Sequence, residues 1–139
     1  MSFGQAASRG RGVASAAPCP CGSGESFAAC CGPVLRGEPA PTAARLMRSR
    51  YTAFFVGDAD HLSRSWHPRT RPGAIEIDDE VRWTGLKILK VEAGGPDDAD
   101  GVVEFSASWS DGTGSGLLHE RSRFVRQRGR WWYLDGEVR

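Results

Sequence analysis

The stretch CPCGSGESFAACCG, residues 19–32, contains all four cysteines of the 139-residue chain. Cys19 and Cys21 flank one proline, and Cys30 and Cys31 are adjacent. Four thiolates at the corners of a tetrahedron lie about 3.8 Å apart when each metal–sulfur bond is about 2.3 Å long. The glycines between the two pairs can adopt positive φ and so turn the chain back on itself. The spacing therefore predicts one metal ion bound by Cys19, Cys21, Cys30 and Cys31.

The chemistry of four sulfur ligands favours zinc, with an iron centre as the alternative. A pair of disulfides fits less well, because adjacent cysteines and a one-residue spacing do not match the required Cα separation. A thioredoxin-like redox site uses Cys-x-x-Cys at the head of a helix, whereas this chain has Cys-x-Cys in a glycine turn. Four protein ligands leave no open coordination position, so the zinc is predicted to be structural.

The same stretch resembles the SEC-C zinc module found at the C-terminus of the bacterial translocation ATPase SecA. The resemblance rests on Cys-Pro-Cys-Gly-Ser-Gly, then the aromatic residue Phe27, then Cys-Cys-Gly. It implies a small zinc-held fold that docks on a protein partner. Such modules usually carry lysines around the aromatic residue, and here those positions hold Glu25, Ser26, Ala28 and Ala29. A chaperone or ribosome that binds SecA-like modules would find less charge to contact on this chain.

The composition suits one modest core, since 40% of the residues are hydrophobic. The formal net charge is +1, and four thiolates with one Zn²⁺ change it to −1. So small a charge provides no field that would hold a nucleic acid or an anionic membrane. No stretch has the length of a transmembrane helix or the apolar region of a secretory signal. Together with reduced cysteines, this predicts a cytoplasmic protein.

The domain organisation follows from changes in composition. Residues 1–18 are rich in Gly, Ala, Ser and Arg and are predicted to form a disordered N-terminal extension. Residues 19–32 form the metal module. Three prolines and two glycines within residues 32–41 predict a linker at 33–41, because they do not continue a helix. The main domain then covers residues 42–139.

Two helices are expected at the start of the main domain. Thr42 can cap a helix with a wide apolar face, and Gly57 is placed to end it. A second helix is predicted to start at Asp58 or Asp60 and to end after Trp66, because His67 precedes a proline.

Strand-like patterns follow the helices. Ile75 and Ile77 alternate, and β-rich runs at 81–91, 102–109, 117–127 and 130–134 are separated by turn signals. Apolar residues change phase between Ile88 and Leu89, which indicates a bulge that bends the first long run. Helices followed by a curved antiparallel meander define the α+β class.

The main domain also resembles the bacterial YchJ family. The motifs that carry this resemblance are LMRSRYTAF (46–54), WHP (66–68), HERSRF (119–124) and WWYLDG (131–136). The resemblance covers residues 19–136. It implies an NTF2-like, or cystatin-like, cone in which a curved sheet wraps around helices and leaves one end open.

The open end of such a cone is where related folds bind ligands. In the fourth strand-like run, Glu120 shares the phase of Leu118, Ser122 and Phe124, so Glu120 rather than His119 is expected to face inward. A buried carboxylate needs a partner, and an arginine of the first helix is the expected one. That pair could be purely structural or could anchor a ligand. The candidate lining residues are Arg48, Arg50, Tyr51, Trp66, His67, Trp109 and Glu120.

Two functions follow from these observations, of which the sequence favours the first. The first is an adaptor that docks a protein partner through the metal module, which carries the most specific motif in the chain. The second is a small-molecule binder or enzyme that uses the cone, because NTF2-like folds also host carriers and enzymes.

Overall fold

The computed structural model describes residues 12–139. A single 3₁₀ turn, Phe27–Ala29, precedes three helices, which we label α1 (Cys31–Leu35), α2 (Ala43–Val56) and α3 (Ala59–Arg64). Four strands follow: β1 (Arg82–Ala93), β2 (Asp100–Ser110), β3 (Ser115–Gln127) and β4 (Arg130–Val138). They form one antiparallel sheet in the order β1-β2-β3-β4. The α+β class, with helices packed on a curved antiparallel sheet, is confirmed.

Helix α2 has the ends that the sequence predicts. The Thr42 hydroxyl accepts a hydrogen bond from the backbone N–H of Arg45 at 3.1 Å, which satisfies one of the unpaired donors of the first turn. Gly57 ends the helix in the left-handed conformation, with φ of 83°. The helix has both a metal-module side and a sheet side, so its residues decide how those two parts meet.

Helix α3 begins as predicted but is shorter. The Asp58 side chain accepts from the backbone N–H of His61 at 3.0 Å and caps the helix. The helix ends at Arg64, and Trp66 forms a parallel bridge with Tyr133 of β4. The Tyr133 N–H donates to Ser65 and the Tyr133 carbonyl accepts from His67, both at 2.8 Å. These bonds satisfy the backbone around Trp66, so the helix does not continue.

The sheet contains the expected bulge. The pairing of β1 with β2 shifts between Ile88 and Lys90, and again between Trp83 and Gly85. The β3–β4 turn places Arg128 and Gly129 at positive φ, 57° and 76°, as a tight two-residue hairpin requires. The prediction of strand-like structure at Ile75 and Ile77 is wrong, because that segment belongs to the loop that joins α3 to β1.

Ordered chain adjoins the predicted metal module, residues 19–32, on both sides. Within the predicted extension, residues 1–11 lie outside the described part of the chain, and residues 15–18 pack on the module. The backbone N–H of Phe27 donates to Ala17 at 2.8 Å, and that of Ala28 donates to Ser15 at 3.0 Å. The predicted linker, residues 33–41, overlaps α1, which continues to Leu35. Pro33 is tolerated there because a first-turn N–H has no helical partner.

The cysteines and the sheet share one core. All four cysteines are buried, and they belong to the same cluster of buried side chains as Leu46, Met47, Tyr51, Val103, Phe105, Phe124 and Trp131. The metal module is therefore packed as part of the domain. Among the described residues, none of the helices combines the length and the apolar character needed to span a membrane.

Candidate metal centre and cavity

The four cysteine sulfur atoms all lie within 4.8 Å of one another. The Sγ atoms of Cys21 and Cys30 are 3.6 Å apart, and those of Cys30 and Cys31 are 3.9 Å apart. These distances are close to the edge of about 3.8 Å expected for a tetrahedral four-sulfur metal site. All four cysteines are free thiols. The cluster is thus compatible with metal binding.

Local backbone geometry explains how so short a segment gathers four sulfur atoms. Gly22 and Gly24 both have positive φ, 78° and 89°, as expected from the sequence. The backbone N–H of Gly22 donates to the carbonyl of Cys19 at 3.0 Å, and the backbone N–H of Cys19 donates to the carbonyl of Glu25 at 2.9 Å. The turn at residues 27–29 then starts at Ser26, whose hydroxyl accepts from the backbone N–H of Ala29. The two cysteine pairs consequently face each other across the glycine turn.

The surroundings of the sulfur atoms are arranged for negative charge. Ser23 places its hydroxyl 3.1 Å from Sγ of Cys30, and Thr52 donates to Sγ of Cys31 at 3.3 Å. Hydrogen bonds from Cys19 and Cys31 lower the pKa of the Cys21 thiol. Contacts with Cys19 and Cys21, together with burial, raise the pKa of Cys31. Several thiolates buried together repel one another, so the cluster is suited to a cation that neutralises them.

Helix α2 ties this centre to the rest of the domain. Besides Thr52, Arg48 reaches the module, donating from Nη1 to the carbonyl of Cys21 at 2.8 Å. Arg48, expected at the cavity from the sequence, therefore lies on the other side of the helix. Positions two residues apart on a helix point about 200° away from each other, so Arg48 and Arg50 cannot share a face. Thr52 was not foreseen, although it is four residues after Arg48 and so lies on the same face.

A cavity of about 220 Å³ lies on the opposite side of α2, between this helix and the sheet. Its walls are mainly apolar and aromatic, as is typical of small-molecule sites. Four of the residues expected from the sequence line it, namely Arg50, Tyr51, Trp66 and Glu120. The others are Met47, Phe54, Trp83, Phe105, Ala107, Leu118, Ser122 and Tyr133.

Arg50 is the central polar group of this cavity. Its side chain is only 4% exposed, and Nη1 donates to the carbonyl of Leu62 at 2.8 Å and to Oγ of Ser65 at 2.6 Å. The guanidinium carbon lies 4.2 Å from the centre of the Tyr133 ring and 5.2 Å from that of Trp66. Burial lowers the pKa of Arg50 to about 10, so the group stays charged at neutral pH. Its two hydrogen-bond acceptors are neutral, and the nearby Glu120 carboxylate favours the charged form of Arg50 without forming an ion pair with it.

Glu120 faces inward, as the strand phase predicts, but the expected ion pair with Arg48 or Arg50 is not formed. Its carboxylate accepts from the Ser122 hydroxyl at 2.7 Å and from the Tyr133 hydroxyl at 3.5 Å. Tyr133 separates the two charges, because Arg50 covers its ring while Glu120 binds its hydroxyl. The sequence could not show that Tyr133 lies between Arg50 and Glu120, because Tyr133 belongs to β4, a different strand from that of Glu120.

Gly136 makes room for the Glu120 carboxylate. A Cβ atom at position 136 would lie 2.6 Å from the carboxyl carbon of Glu120 and 2.8 Å from the Tyr133 hydroxyl. Both distances are shorter than real Cβ contacts, so a side chain at this position would displace the acid or the phenol. Gly136 belongs to the WWYLDG motif, but nothing in the sequence indicated this steric role.

His67 and Trp109, also expected at the cavity, do not line it. His67 accepts from the backbone N–H of Arg69 through Nδ1 at 3.1 Å, and its Nε2 lies 2.8 Å from the Gln127 side-chain oxygen. It therefore holds the loop after α3 against β3. Trp109 lies over Gly116, where a Cβ atom would come within 2.6 Å of the indole ring. The indole thus occupies the space above the glycine at one end of the sheet.

Comparison with known proteins agrees with this architecture. The family model described as YchJ, middle NTF2-like domain matches residues 42–136, and the SEC-C motif matches residues 17–33. A UPF0225 protein of Streptomyces coelicolor is 53% identical over 121 residues, covering 86% of this chain and 94% of the relative. A UPF0225 protein of Chromobacterium violaceum is 50% identical over 127 residues, covering 88% of this chain and 93% of the relative.

Solved structures with the same arrangement are also found. A SEC-C motif containing protein from Rhodopseudomonas palustris has 35% identity and a TM-score of 0.76, covering 87% of this chain and 98% of that protein. Another from Psychrobacter arcticus has 25% identity and a TM-score of 0.73, covering 90% and 84%. The fold and the cysteine cluster define an NTF2-like α+β domain with an N-terminal SEC-C motif. The chain belongs to the YchJ family.

Proposed function

We propose that this protein binds a small molecule in the cavity between α2 and the sheet, and that a structural zinc ion holds the wall of that cavity in place. The observation that carries the proposal is a buried, charged Arg50 at an otherwise mostly apolar cavity of about 220 Å³. Burying a charge is costly, and the bonds of Arg50 to Leu62 and Ser65 use only one of its three nitrogen atoms. Perturbed charged groups in a cavity are a general mark of binding sites.

Zinc is the proposed metal because four sulfur ligands at tetrahedral spacing match its preference. With four protein ligands and all four cysteines buried, the centre has no position for a substrate. Its proposed role is to hold α2 in position against the sheet. The module contacts Arg48 and Thr52 on one face of α2, while Arg50 lines the cavity on the other. Reduced thiols at such a centre also support the proposal of a cytoplasmic location.

Elemental analysis and absorbance test the metal. We expect one zinc per chain in gently purified protein, and none in the Cys30→Ser variant. A coloured protein with stoichiometric iron would contradict zinc, and a colourless protein without stoichiometric metal would contradict the metal centre. Chelation is expected to disorder the region 12–32 and to weaken ligand binding, because α2 loses its contacts with the module.

Ligand binding is tested by NMR titration of the zinc-loaded full chain with indole as the probe. We expect shifts of the resonances of cavity residues. Ala107→Leu should abolish them by filling the cavity, since Ala107 is buried at its wall. The control is Ser106→Leu, which adds the same side chain one position away, on the other face of β2. Identical titrations for both variants, or no shifts in the unmodified protein, would refute the proposal.

Docking of a protein partner through the metal module is the second candidate. It is favoured by the exposed outer surface of the module, which includes Gly22, Gly24, Ala28 and Ala29, while its inner side is covered by α2. A photo-crosslinking amino acid at Ala28 tests it in cells, with the exposed Thr113 turn as the control. We expect one discrete adduct at Ala28 that is absent at Thr113. The same adducts at both positions, or none, would contradict docking.

A further inference from the structure

We propose that the ligand of the cavity is a small aromatic monocarboxylate whose carboxylate binds the guanidinium of Arg50. This inference rests on the proposed function, because it names the class of molecule that the same cavity takes. Three features of the described residues support it: the unused donors of Arg50, the aromatic walls, and the position of Glu120.

The first feature is the incomplete hydrogen bonding of Arg50. Both of its bonds to described residues start from Nη1, and both acceptors are neutral oxygen atoms. Within residues 12–139, no acceptor is found for Nε or Nη2, and no carboxylate forms an ion pair with this side chain. Arginine presents two parallel N–H groups that match the two oxygens of a carboxylate. A ligand carboxylate would therefore satisfy both the charge and the free donors.

The second feature is the shape and size of the cavity. Its lining includes the aromatic residues Trp66, Trp83, Phe105 and Tyr133. Trp66 and Tyr133 are held edge to face, with ring centres 4.9 Å apart, so their positions are fixed by each other. A cavity of about 150 Å³ is sufficient for benzene. The 220 Å³ available here fits a single substituted ring or a small fused pair.

The third feature is Glu120, which limits the charge of the ligand. Two hydroxyl groups of the protein, from Ser122 and Tyr133, donate to its Oε2 atom. A second carboxylate on the ligand would meet this acid, and like charges in a buried site repel strongly. A hydroxyl or amino group on the ring could instead donate to it. The cavity thus favours a ligand with a single negative charge, placed at Arg50.

The experiment uses three probes of similar size with the zinc-loaded full chain: benzoate, its neutral analogue benzamide, and the dicarboxylate phthalate. Dissociation constants are measured by NMR titration at pH 7. We expect benzoate to bind about tenfold or more tightly than benzamide, because a charge-assisted bidentate contact replaces a neutral one. Phthalate should bind more weakly than benzoate.

Variants assign the preference to Arg50. Arg50→Met should remove the preference for benzoate over benzamide, while Arg82→Met, at an exposed position on the opposite face of β1 from the cavity-lining Trp83, should keep it. If Arg50→Met does not fold, Arg50→Lys provides the test, because it retains the charge but loses the bidentate geometry and should reduce the preference. Equal binding of benzoate and benzamide, tight binding of phthalate, or a preference that survives at Arg50→Met would overturn the ligand class.

These results are separate from a failure of the proposed function. If indole and benzamide bind in the cavity without any preference for benzoate, the cavity is a binding site but the ligand class is wrong. If none of the probes shifts resonances of the cavity residues, both the binding function and the ligand class are refuted, and Arg50 has only its structural bonds to Leu62 and Ser65.

Discussion

Lowering the pH from 7 to 5 should destabilise this protein through His61. The His61 side chain is 3% exposed, and its Nε2 lies 2.9 Å from Oγ of Ser49. The Ser49 hydroxyl donates to the carbonyl of Leu46 at 2.7 Å, so His61 must donate from Nε2. Its Nδ1 atom is buried and has no partner among the described residues. Protonation would therefore place a hydrogen and a charge on Nδ1 with no acceptor.

The size of the effect follows from the shift of the pKa. Burial, with Arg50 and Arg64 adding to it, lowers the pKa of His61 from 6.5 to about 4. As the pH falls below 6.5, the unfolded chain binds a proton that the folded chain refuses, so the stability present above pH 6.5 is lost between pH 6.5 and 4. At about 1.4 kcal/mol per pH unit, the loss from pH 7 to pH 5 is about 2 kcal/mol.

Urea unfolding followed by tryptophan fluorescence measures this loss. The control is His61→Gln, which can keep a hydrogen bond to Ser49 but does not titrate. Protonation of the cysteines and loss of metal affect both proteins, so the informative quantity is the difference between their pH dependences. We expect the unmodified protein to lose about 2 kcal/mol more than the variant. Equal losses would refute the reasoning, and so would an NMR titration in which the His61 imidazole protonates near its ordinary pKa.

Two further substitutions test the packing around the cavity. Gly136→Ala should destabilise the fold by about 1–3 kcal/mol and change the environment of Glu120, because the added methyl group overlaps the Glu120 carboxylate. The control is Gly112→Ala, which should not destabilise the fold because the space around Gly112 is open. Phe124→Ala should lower the free energy of unfolding by about 3–5 kcal/mol, because Phe124 is only 1% exposed. The control Leu117→Ala should lower it by less than about 0.5 kcal/mol, because Leu117 is 66% exposed. Urea unfolding checks both pairs, and equal effects within either pair would contradict the packing described here.

Much of the fold was accessible from local patterns. Thr42 and Gly57 bound a helix because a hydroxyl cap and a left-handed glycine are local devices, which act within one turn. The bulge after Ile88 was visible as a change in the phase of apolar residues. The end of α3 was not accessible, because the bonds of Ser65 and His67 to Tyr133 join segments far apart in the chain.

The candidate cavity was only partly predictable for the same reason. Strand phase placed Glu120 on the inner face, because alternate residues of a strand face opposite sides. The sequence predicted the wrong partner for Glu120. The choice between Arg48, Arg50 and Tyr133 depends on the rotation of α2 about its axis and on Tyr133 of β4, which lies between Arg50 and Glu120. Whether a residue lines the cavity depends on how several helices and strands pack together, and local patterns do not determine this packing. For this reason the sequence did not show that His67 and Trp109 lie outside the cavity.

The sequence by itself determined the four metal-ligating candidates, because cysteines separated by a short glycine turn can meet without help from the rest of the chain. It also determined the α+β class, through helix caps and strand alternation. Only the tertiary structure decided that the module packs into the same core as the sheet and that Arg50 is buried without a carboxylate partner. Those features depend on contacts between α2, α3 and β4, whose relative positions no local pattern encodes.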